Sequence, residues 1–306
     1  MADTAREDTE HHAKKQKVNG GTFEAEVSYH VPDELQAAQI HVLPLIKAFR
    51  SLVAKLEHHQ PSGARSELSV VFGGGGGGEG GGGGAPLPFS VGSSGLFFKH
   101  RLKMMQRFAD WKSVHTVCSH EYFYPINDTP ICTTTVFGPD KIAVRHDSRV
   151  LTQHVVFSFQ EEALRGLHVR VAVKRVDNVP VASLPVMIRP QGVRIRKQTT
   201  FVMRNWSFQF VREWSAPTRA EAEEKQAGAD YDHEYDHDAD TAAATISNGS
   251  IRNGDTAPLT YKVKIIYTGS VTETADLSDE YLALSLLFKI CSLMGGGNIF
   301  CLHPVV

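Results

Sequence analysis

The chain has 306 residues, 42% of them hydrophobic, which is enough for one substantial core. Its 32 basic and 34 acidic residues nearly balance, so the overall charge points to neither nucleic acid nor a membrane, and any electrostatic function must come from local clusters. The four cysteines have no Cys-x-x-Cys spacing, and no run of about 18 apolar residues occurs. We therefore expect one intracellular folded domain with no membrane partner and no structural zinc site.

The predicted elements begin after a polar N-terminal segment. Residues 1–21 are predicted to be a disordered tail because they are charged and poor in apolar residues. The alternating pattern of Phe23–Tyr29 predicts a first strand, with Glu24 and Glu26 on one of its faces.

Two helices and a glycine-rich segment follow. Apolar residues at helical spacing predict a helix that ends near Glu57 and a second from about Lys99 to Trp111. Between them, residues 73–84 are almost pure glycine. Because no Gly-Lys-Ser/Thr follows, we interpret them as a flexible insertion and not as a phosphate loop.

From residue 114 onward the pattern is typical of β-structure, bounded by Pro, Gly, Asn and Asp. The predicted strands are Val114–Tyr124, Ile131–Val136, Lys141–Arg145, Val150–Phe159, Leu167–Val176, Val193–Met203, Trp206–Trp214 and Leu259–Tyr267. The polar segment 216–258 interrupts them as a second insertion, and a helix is predicted over Leu277–Met294.

These elements predict a mainly β fold of the α+β type. With the first strand, about eight or nine antiparallel strands are available, which is enough to close a barrel with helices supporting it from outside. We expect residues 22–294 to form this single domain, with the two insertions at 73–84 and 216–258, and residues 295–306 to form a C-terminal extension.

Charged residues occur two positions apart on three of the predicted strands. The pairs are Glu24 and Glu26, Arg194 and Arg196, and Lys262 and Lys264. Residues two apart share a face of a strand, so each pair builds a charged face. If these faces line a closed barrel they form a site, because an apolar core does not accept so many unpaired ions. The alternative is an open sheet with these charges on solvated faces.

Four motifs occur along the chain in a particular order. They are Glu24-Ala25-Glu26, Arg170-Val171-Ala172, the basic run Arg194–Phe201, and the Trp-led strand Trp206–Val211. In this order they resemble the tunnel-type, metal-dependent RNA 5′-triphosphatases that begin mRNA cap formation in fungi, protists and some large DNA viruses. The resemblance implies a tunnel-shaped barrel with the charged residues inside.

The chain departs from this family on two strands. The family's last strand carries alternating glutamates where this chain has Lys262, Lys264 and Ile266, and its Trp-led strand carries Asp and Thr where this chain has Gln209 and Val211. The family's first and last strands hold Mn²⁺ or Mg²⁺ through carboxylates. An ammonium group in their place repels such an ion, so no cofactor is expected.

The resemblance also implies partners for the remaining charges. If the strands keep the family's arrangement, Glu24 and Glu26 form interior ion pairs with Lys262 and Lys264. The arginines that the resemblance assigns to phosphate binding are Arg145, Arg170, Arg194 and Arg196. Guanidinium groups bind phosphate in a bidentate manner. For Arg145 and Arg170 a place on the outer surface is an equal alternative.

Two functions follow from the resemblance. The first is a non-catalytic binding or scaffold subunit in the nucleus, with a protein partner in the mRNA capping or RNA polymerase II transcription machinery. The alternative is an active polynucleotide 5′-triphosphatase that uses Mg²⁺ or Mn²⁺, with Glu24 and Glu26 as ligands and further carboxylates from Asp147, Glu161 or Glu162. The resemblance implies RNA 5′-triphosphate or inorganic polyphosphate as the ligand, and the sequence does not separate the two because arginines read charge and not bases.

Overall fold

A computed structural model describes residues 33–58, 64–75, 89–124, 131–137, 142–159, 166–179, 189–231, 259–269, 277–294 and 302–304. The helices are α1 (Asp33–His58), α2 (Gly95–Arg107), α3 (Arg219–Tyr231) and α4 (Asp279–Met294). The strands are β1 (Arg65–Gly75), β2 (Phe89–Ser90), β3 (Ser113–Tyr124), β4 (Ile131–Phe137), β5 (Ile142–Phe159), β6 (Leu167–Asn178), β7 (Gly192–Met203), β8 (Trp206–Ala216), β9 (Thr260–Tyr267) and β10 (Leu302–Pro304).

Eight of these strands close into one antiparallel barrel, which confirms the predicted fold class. The order around the ring is β1-β6-β5-β4-β3-β7-β8-β9, and β9 pairs back onto β1. Strands β2 and β10 are short and pair with β1 and β5 as additions to the ring. Because the ring is closed, each barrel strand has a hydrogen-bonded neighbour on both sides, and none of the eight is an edge strand.

The apolar core lies outside the barrel wall, beneath the helices. Helix α1 packs on β1, β6 and α4. Helix α3 covers Ile195 and Trp214, and Phe98 of α2 packs 5.6 Å from Phe210 of β8, measured between ring centroids. Successive residues of a strand point to opposite faces of the sheet. Because these apolar residues point outward, the residues between them point into the barrel interior.

The observed elements agree with most of the predicted ones. Helix α2 begins four residues before the predicted Lys99, because Ser94 caps its N-terminus by accepting a hydrogen bond from the Phe97 amide at 3.2 Å. The two strands predicted at 141–145 and 150–159 are the single strand β5, whose register shifts at a bulge between Leu151 and Gln153.

Four elements were absent from the predictions, namely the strands β1, β2 and β10 and the helix α3. Strand β1 includes Gly73–Gly75 of the glycine-rich segment, and helix α3 lies within the segment 216–258. The predicted strand Phe23–Tyr29 lies outside the described residues, and the domain boundaries stay predictions. No helix of the described part of the chain is long and apolar enough to span a membrane.

Candidate functional site

The candidate site is the inner wall of the barrel, which is strongly charged. Strand register places one set of residues on the inward face. Its acidic members are Glu67, Glu121, Asp147 and Glu213. Its basic members are Arg145, Arg149, Arg170, Lys174, Arg194, Arg196, Lys262 and Lys264. Among the described residues, basic side chains therefore outnumber acidic ones on this face.

Five of these side chains form a central ion-pair cluster. Glu121 of β3 contacts Arg196 at 2.6 Å and Arg194 at 3.3 Å. Glu213 of β8 contacts Lys262 at 2.5 Å, Arg194 at 2.8 Å and Arg196 at 3.8 Å. The Arg194 contact to Glu213 is an ion pair through Nε that lacks hydrogen-bond alignment. Both carboxylates are almost fully buried, at 1% and 4% exposure, so these contacts are screened much less than ion pairs on the surface.

The charge states of the cluster follow from its geometry. Burial opposes ionisation of Glu121, but Arg196, Arg149 and Arg194 outweigh it and hold the pKa of that carboxyl below its usual value. Burial lowers the pKa of Lys262, and Glu213 partly offsets the effect. The cluster is therefore a set of opposed charges that stabilise one another in a partly desolvated interior.

The other two inward acids each have their own basic partner. Glu67 of β1 contacts Lys174 of β6 at 3.4 Å, and Asp147 of β5 contacts Arg149 at 3.2 Å. Burial raises the pKa of Glu67, but the attraction of Lys174, Lys264 and Arg149 is larger in sum and the pKa is lowered. Each acidic residue of the inward set is thus paired with a basic side chain.

Lys264 differs from Lys262, two positions before it on β9. It lies opposite Val71 of β1 and Gln209 of β8. No carboxylate of the described residues lies within ion-pair distance of its amine. Burial, reinforced by Arg196 and Lys174 and opposed by Glu67, lowers the pKa of Lys264 to about 7.

The remaining two predicted arginines lie apart from the central cluster. The guanidinium of Arg170 lies 4.7 Å from the centre of the Phe89 ring, in a cation–π contact, and its buried Nε has no hydrogen-bond partner. Arg145 is exposed on β5, opposite Thr134 of β4. The structure therefore brings Arg194, Arg196 and Lys262 together and leaves Arg145 at a distance from an acidic partner.

Sequence reasoning missed the carboxylates that organise this site. Among the described residues the partner of Lys262 is Glu213, which the sequence analysis did not name, and the predicted pairs with Glu24 and Glu26 stay predictions. The sequence did contain a pattern that indicates Glu213, because it lies two positions after Val211 and four after Gln209, on the same face of the strand. Glu24, Glu26, Glu161 and Glu162 lie outside the described residues.

The described interior does not fit a divalent cation. Mg²⁺ and Mn²⁺ need several oxygen ligands around one point, but each inward carboxylate is held by an arginine or a lysine. Asp147, the predicted additional ligand, is 2% exposed and pairs with Arg149. Among the described residues, no group of three or more His, Cys, Asp and Glu side chains has the geometry of a metal site.

This charge arrangement predicts the response to metal. We expect millimolar Mn²⁺ to leave the melting temperature of the parent protein unchanged, because Lys262 and Lys264 repel a cation. Lys262→Glu, Lys264→Glu and Ile266→Glu together restore an oxygen-rich strand, and Mn²⁺ at about 100 times its Kd then adds about 2.7 kcal/mol. Thermal melts with Mn²⁺ and with EDTA test this. Stabilisation of the parent by Mn²⁺ would contradict it and would indicate that Glu24 and Glu26 complete a metal site.

Fold and interior together define a closed antiparallel β-barrel with a charged lumen, which is the tunnel class of barrel. Among solved structures, the chain is similar to the Pct1 RNA triphosphatase of S. pombe, with a TM-score of 0.53 and 10% identity over 90% of this chain and 98% of that one. Pct1 in complex with the Spt5 CTD gives a TM-score of 0.52 and 9% identity over 89% and 95%. At such identities the likeness shows a shared fold.

A weaker match is the Schizosaccharomyces pombe Mediator head module, with a TM-score of 0.35 and 8% identity over 78% of this chain and all of that one. No protein-family model and no curated protein matches the sequence.

Proposed function

We propose that this chain is a non-catalytic, triphosphatase-like tunnel protein that binds the phosphate end of RNA 5′-triphosphate or an inorganic polyphosphate. It acts as a binding or scaffold subunit of the nuclear mRNA capping or RNA polymerase II transcription machinery. The observation that carries the proposal is that, among the described residues, basic side chains outnumber acidic ones on the inner wall of a tunnel barrel.

The excess charge is available to a ligand. After the four acidic residues are paired, Arg145, Arg170 and Lys264 have no carboxylate within ion-pair distance among the described residues. Arg170 has a buried Nε without a hydrogen-bond partner. Phosphate oxygens accept charge-assisted hydrogen bonds from such groups, and an enclosed site of low dielectric strengthens the attraction.

The lack of fit to a metal favours binding over hydrolysis. In an Mg²⁺- or Mn²⁺-dependent phosphoanhydride hydrolase the ion neutralises the phosphate and polarises it. Here arginine and lysine side chains neutralise the phosphate, but they hold no ion to assist the attack of water. The protein partner is proposed from the shared fold, because one of the similar solved structures is Pct1 in complex with the Spt5 CTD.

A binding assay tests the ligand. We expect RNA with a 5′-triphosphate to bind more tightly than the same RNA with a 5′-hydroxyl, in EDTA as well as in Mg²⁺, by fluorescence anisotropy. Arg170→Gln should weaken the binding of triphosphate-ended RNA about tenfold or more, since a charged hydrogen bond contributes roughly 1.5–3 kcal/mol. Arg175→Gln is the matched control, because Arg175 lies on the outer face of the same strand and pairs with Asp177. Equal affinity for both RNA ends would contradict the proposal.

A phosphate-release assay tests the alternative. The parent protein and a Glu24→Ala variant are incubated with triphosphate-ended RNA and Mn²⁺ or Mg²⁺. We expect no release above the protein-free rate from either. Release that requires both the metal and Glu24 would overturn the scaffold function and establish the active 5′-triphosphatase.

A further inference from the structure

Two phenylalanine rings on the inner wall lie against arginines. The guanidinium carbon of Arg194 lies 4.5 Å from the centre of the Phe123 ring, and that of Arg170 lies 4.7 Å from the centre of the Phe89 ring. Both contacts are cation–π interactions, which hold a guanidinium group against a ring. Both phenylalanines are partly exposed, so the arginines leave part of each ring surface open to another group.

Both rings lie at the same mouth of the barrel. Phe123 shares the inward face of β3 with Glu121, and it pairs with Gly192, the first residue of β7. Phe89 pairs with Gly75, the last residue of β1, at a position on the inward face of that strand. Strands β1 and β3 run in the same direction, because four antiparallel pairings separate them around the ring, so their C-terminal ends meet at one mouth. A glycine has no side chain, so neither ring is covered by the residue directly opposite it.

The opposite mouth of the barrel has a different lining. Among the described residues, no Phe, Tyr or Trp occupies an inward position there. On β3 and β7 the inward residues near that mouth are His115, Val117, Thr200 and Val202. Accessibility also rises toward the phenylalanine mouth, because the side chain of Arg194 is 31% exposed and that of Arg196, two positions deeper on β7, is 10% exposed. A ligand that enters at the phenylalanine mouth therefore meets the two rings first and the buried cations beyond them.

From this arrangement we propose that Phe89 and Phe123 form a stacking rim, with which the tunnel selects RNA 5′-triphosphate over inorganic polyphosphate. The inference rests on the proposed binding of phosphate and specifies the ligand. A 5′-triphosphate end carries a planar base next to its phosphates, whereas polyphosphate has no base. Aromatic side chains stack on every base because each base has a π face, so the rim accepts any first nucleotide. The triphosphate enters the lumen first, the first base stays at the rim, and the rest of the RNA lies outside the barrel.

The stacking rim does not need the charges that carboxylates already hold. Arg194 is fixed by Glu121 and Glu213, and it serves here only to hold the Phe123 ring in place. Arg170 has no carboxylate within ion-pair distance among the described residues, and its buried Nε has no hydrogen-bond partner. It can therefore donate to a phosphate oxygen while its guanidinium stays against Phe89. Base and phosphate are thus recognised by different groups at one mouth.

Competition for a fluorescent triphosphate-ended RNA, followed by anisotropy in EDTA, tests the stacking rim. The competitors are a short RNA with a 5′-triphosphate, the same RNA whose first ribose carries no base, and inorganic tripolyphosphate. We expect the parent protein to bind the RNA with the first base about fivefold more tightly than the RNA without it, the effect of one base–aromatic stack. Phe89→Leu and Phe123→Leu should each weaken the binding of the complete RNA by about that factor and leave tripolyphosphate binding unchanged. Phe123→Trp keeps an aromatic face and should retain the affinity for RNA.

Phe137→Leu is the matched control, because Phe137 is 37% exposed on the outer face of β4, at the opposite end of the barrel, and should change neither affinity. Equal binding of the two RNAs by the parent would overturn the inference, whether or not the variants fold. Equal weakening of RNA and tripolyphosphate in the leucine variants would also overturn it, since the rings would then only position the arginines. A parent that binds none of the three competitors would instead refute the proposed binding of phosphate itself, so the two failures are distinguishable.

Discussion

Replacing Glu213 by alanine is expected to lower the free energy of unfolding by about 3–5 kcal/mol, the range for breaking a buried charge pair from one side. Glu213 is 4% exposed and contacts three cations, Lys262, Arg194 and Arg196, at 2.5, 2.8 and 3.8 Å. Without it these cations repel one another inside the barrel, and among the described carboxylates Glu121 still contacts Arg194 and Arg196 but not Lys262. Urea unfolding of the parent and the variant measures the difference.

The matched control is an exposed carboxylate whose removal is the same chemical change. Glu223 of α3 pairs with Arg219 at 2.7 Å, but its side chain is 46% exposed. Glu223→Ala should therefore cost about 0–1 kcal/mol. Equal costs for the two variants would mean that the ion pairs of Glu213 contribute no more than a surface pair.

A second substitution of Glu213 separates loss of charge from loss of packing. Glu213→Gln keeps the volume of the side chain and removes its charge, so it should retain most of the destabilisation. Inorganic tripolyphosphate should raise the melting temperature of Glu213→Gln more than that of the parent, because the unpaired cations bind an anion more tightly and ligand binding stabilises the folded state. A loss of stability with alanine but not with glutamine would assign the effect to packing.

Most of the fold could be predicted from local patterns. Most strands from β3 to β9 alternate apolar and polar residues and are followed within two residues by Pro, Gly, Asn or Asp, and these signals are contained in the sequence itself. Strand β1 escaped prediction because its apolar run continues into glycines, which are depleted in strands and typical of linkers. Strand β5 was predicted as two strands because the polar run His146-Asp147-Ser148-Arg149 reads as a break, whereas these residues continue the strand.

The site could be predicted only in part. Alternation is a property of one strand, and it correctly gives Lys262 and Lys264 a common face. The choice of partner depends on the register between strands. Lys262 lies opposite Val211, which places Glu213 one diagonal step away on the adjacent strand. Neighbouring strands are about 4.8 Å apart, so a carboxylate on the next strand is reached more easily than one across the lumen. Register depends on closure of the whole ring, which no single segment encodes.

The last expected result concerns pH. Replacing Lys264 by methionine should make the protein more stable than the parent at pH 7, and the difference should shrink as the pH rises to 9. The pKa of Lys264 in the folded protein, about 7, lies below its usual value of 10.5. Between these two values the unfolded chain binds more protons than the folded one, so the stability of the parent rises with pH.

The difference in stability between the parent and Lys264→Met depends on the binding of one proton. It therefore changes by at most about 1.4 kcal/mol per pH unit. Partial exposure of the side chain reduces the slope below that bound. The measurement is urea unfolding of the parent and of Lys264→Met at pH 7, 8 and 9, in buffers free of bicarbonate and phosphate. It isolates the contribution of Lys264 to the pH dependence, because the other titrating groups are common to both proteins. A difference in stability that does not change with pH would mean that Lys264 stays protonated in the folded protein.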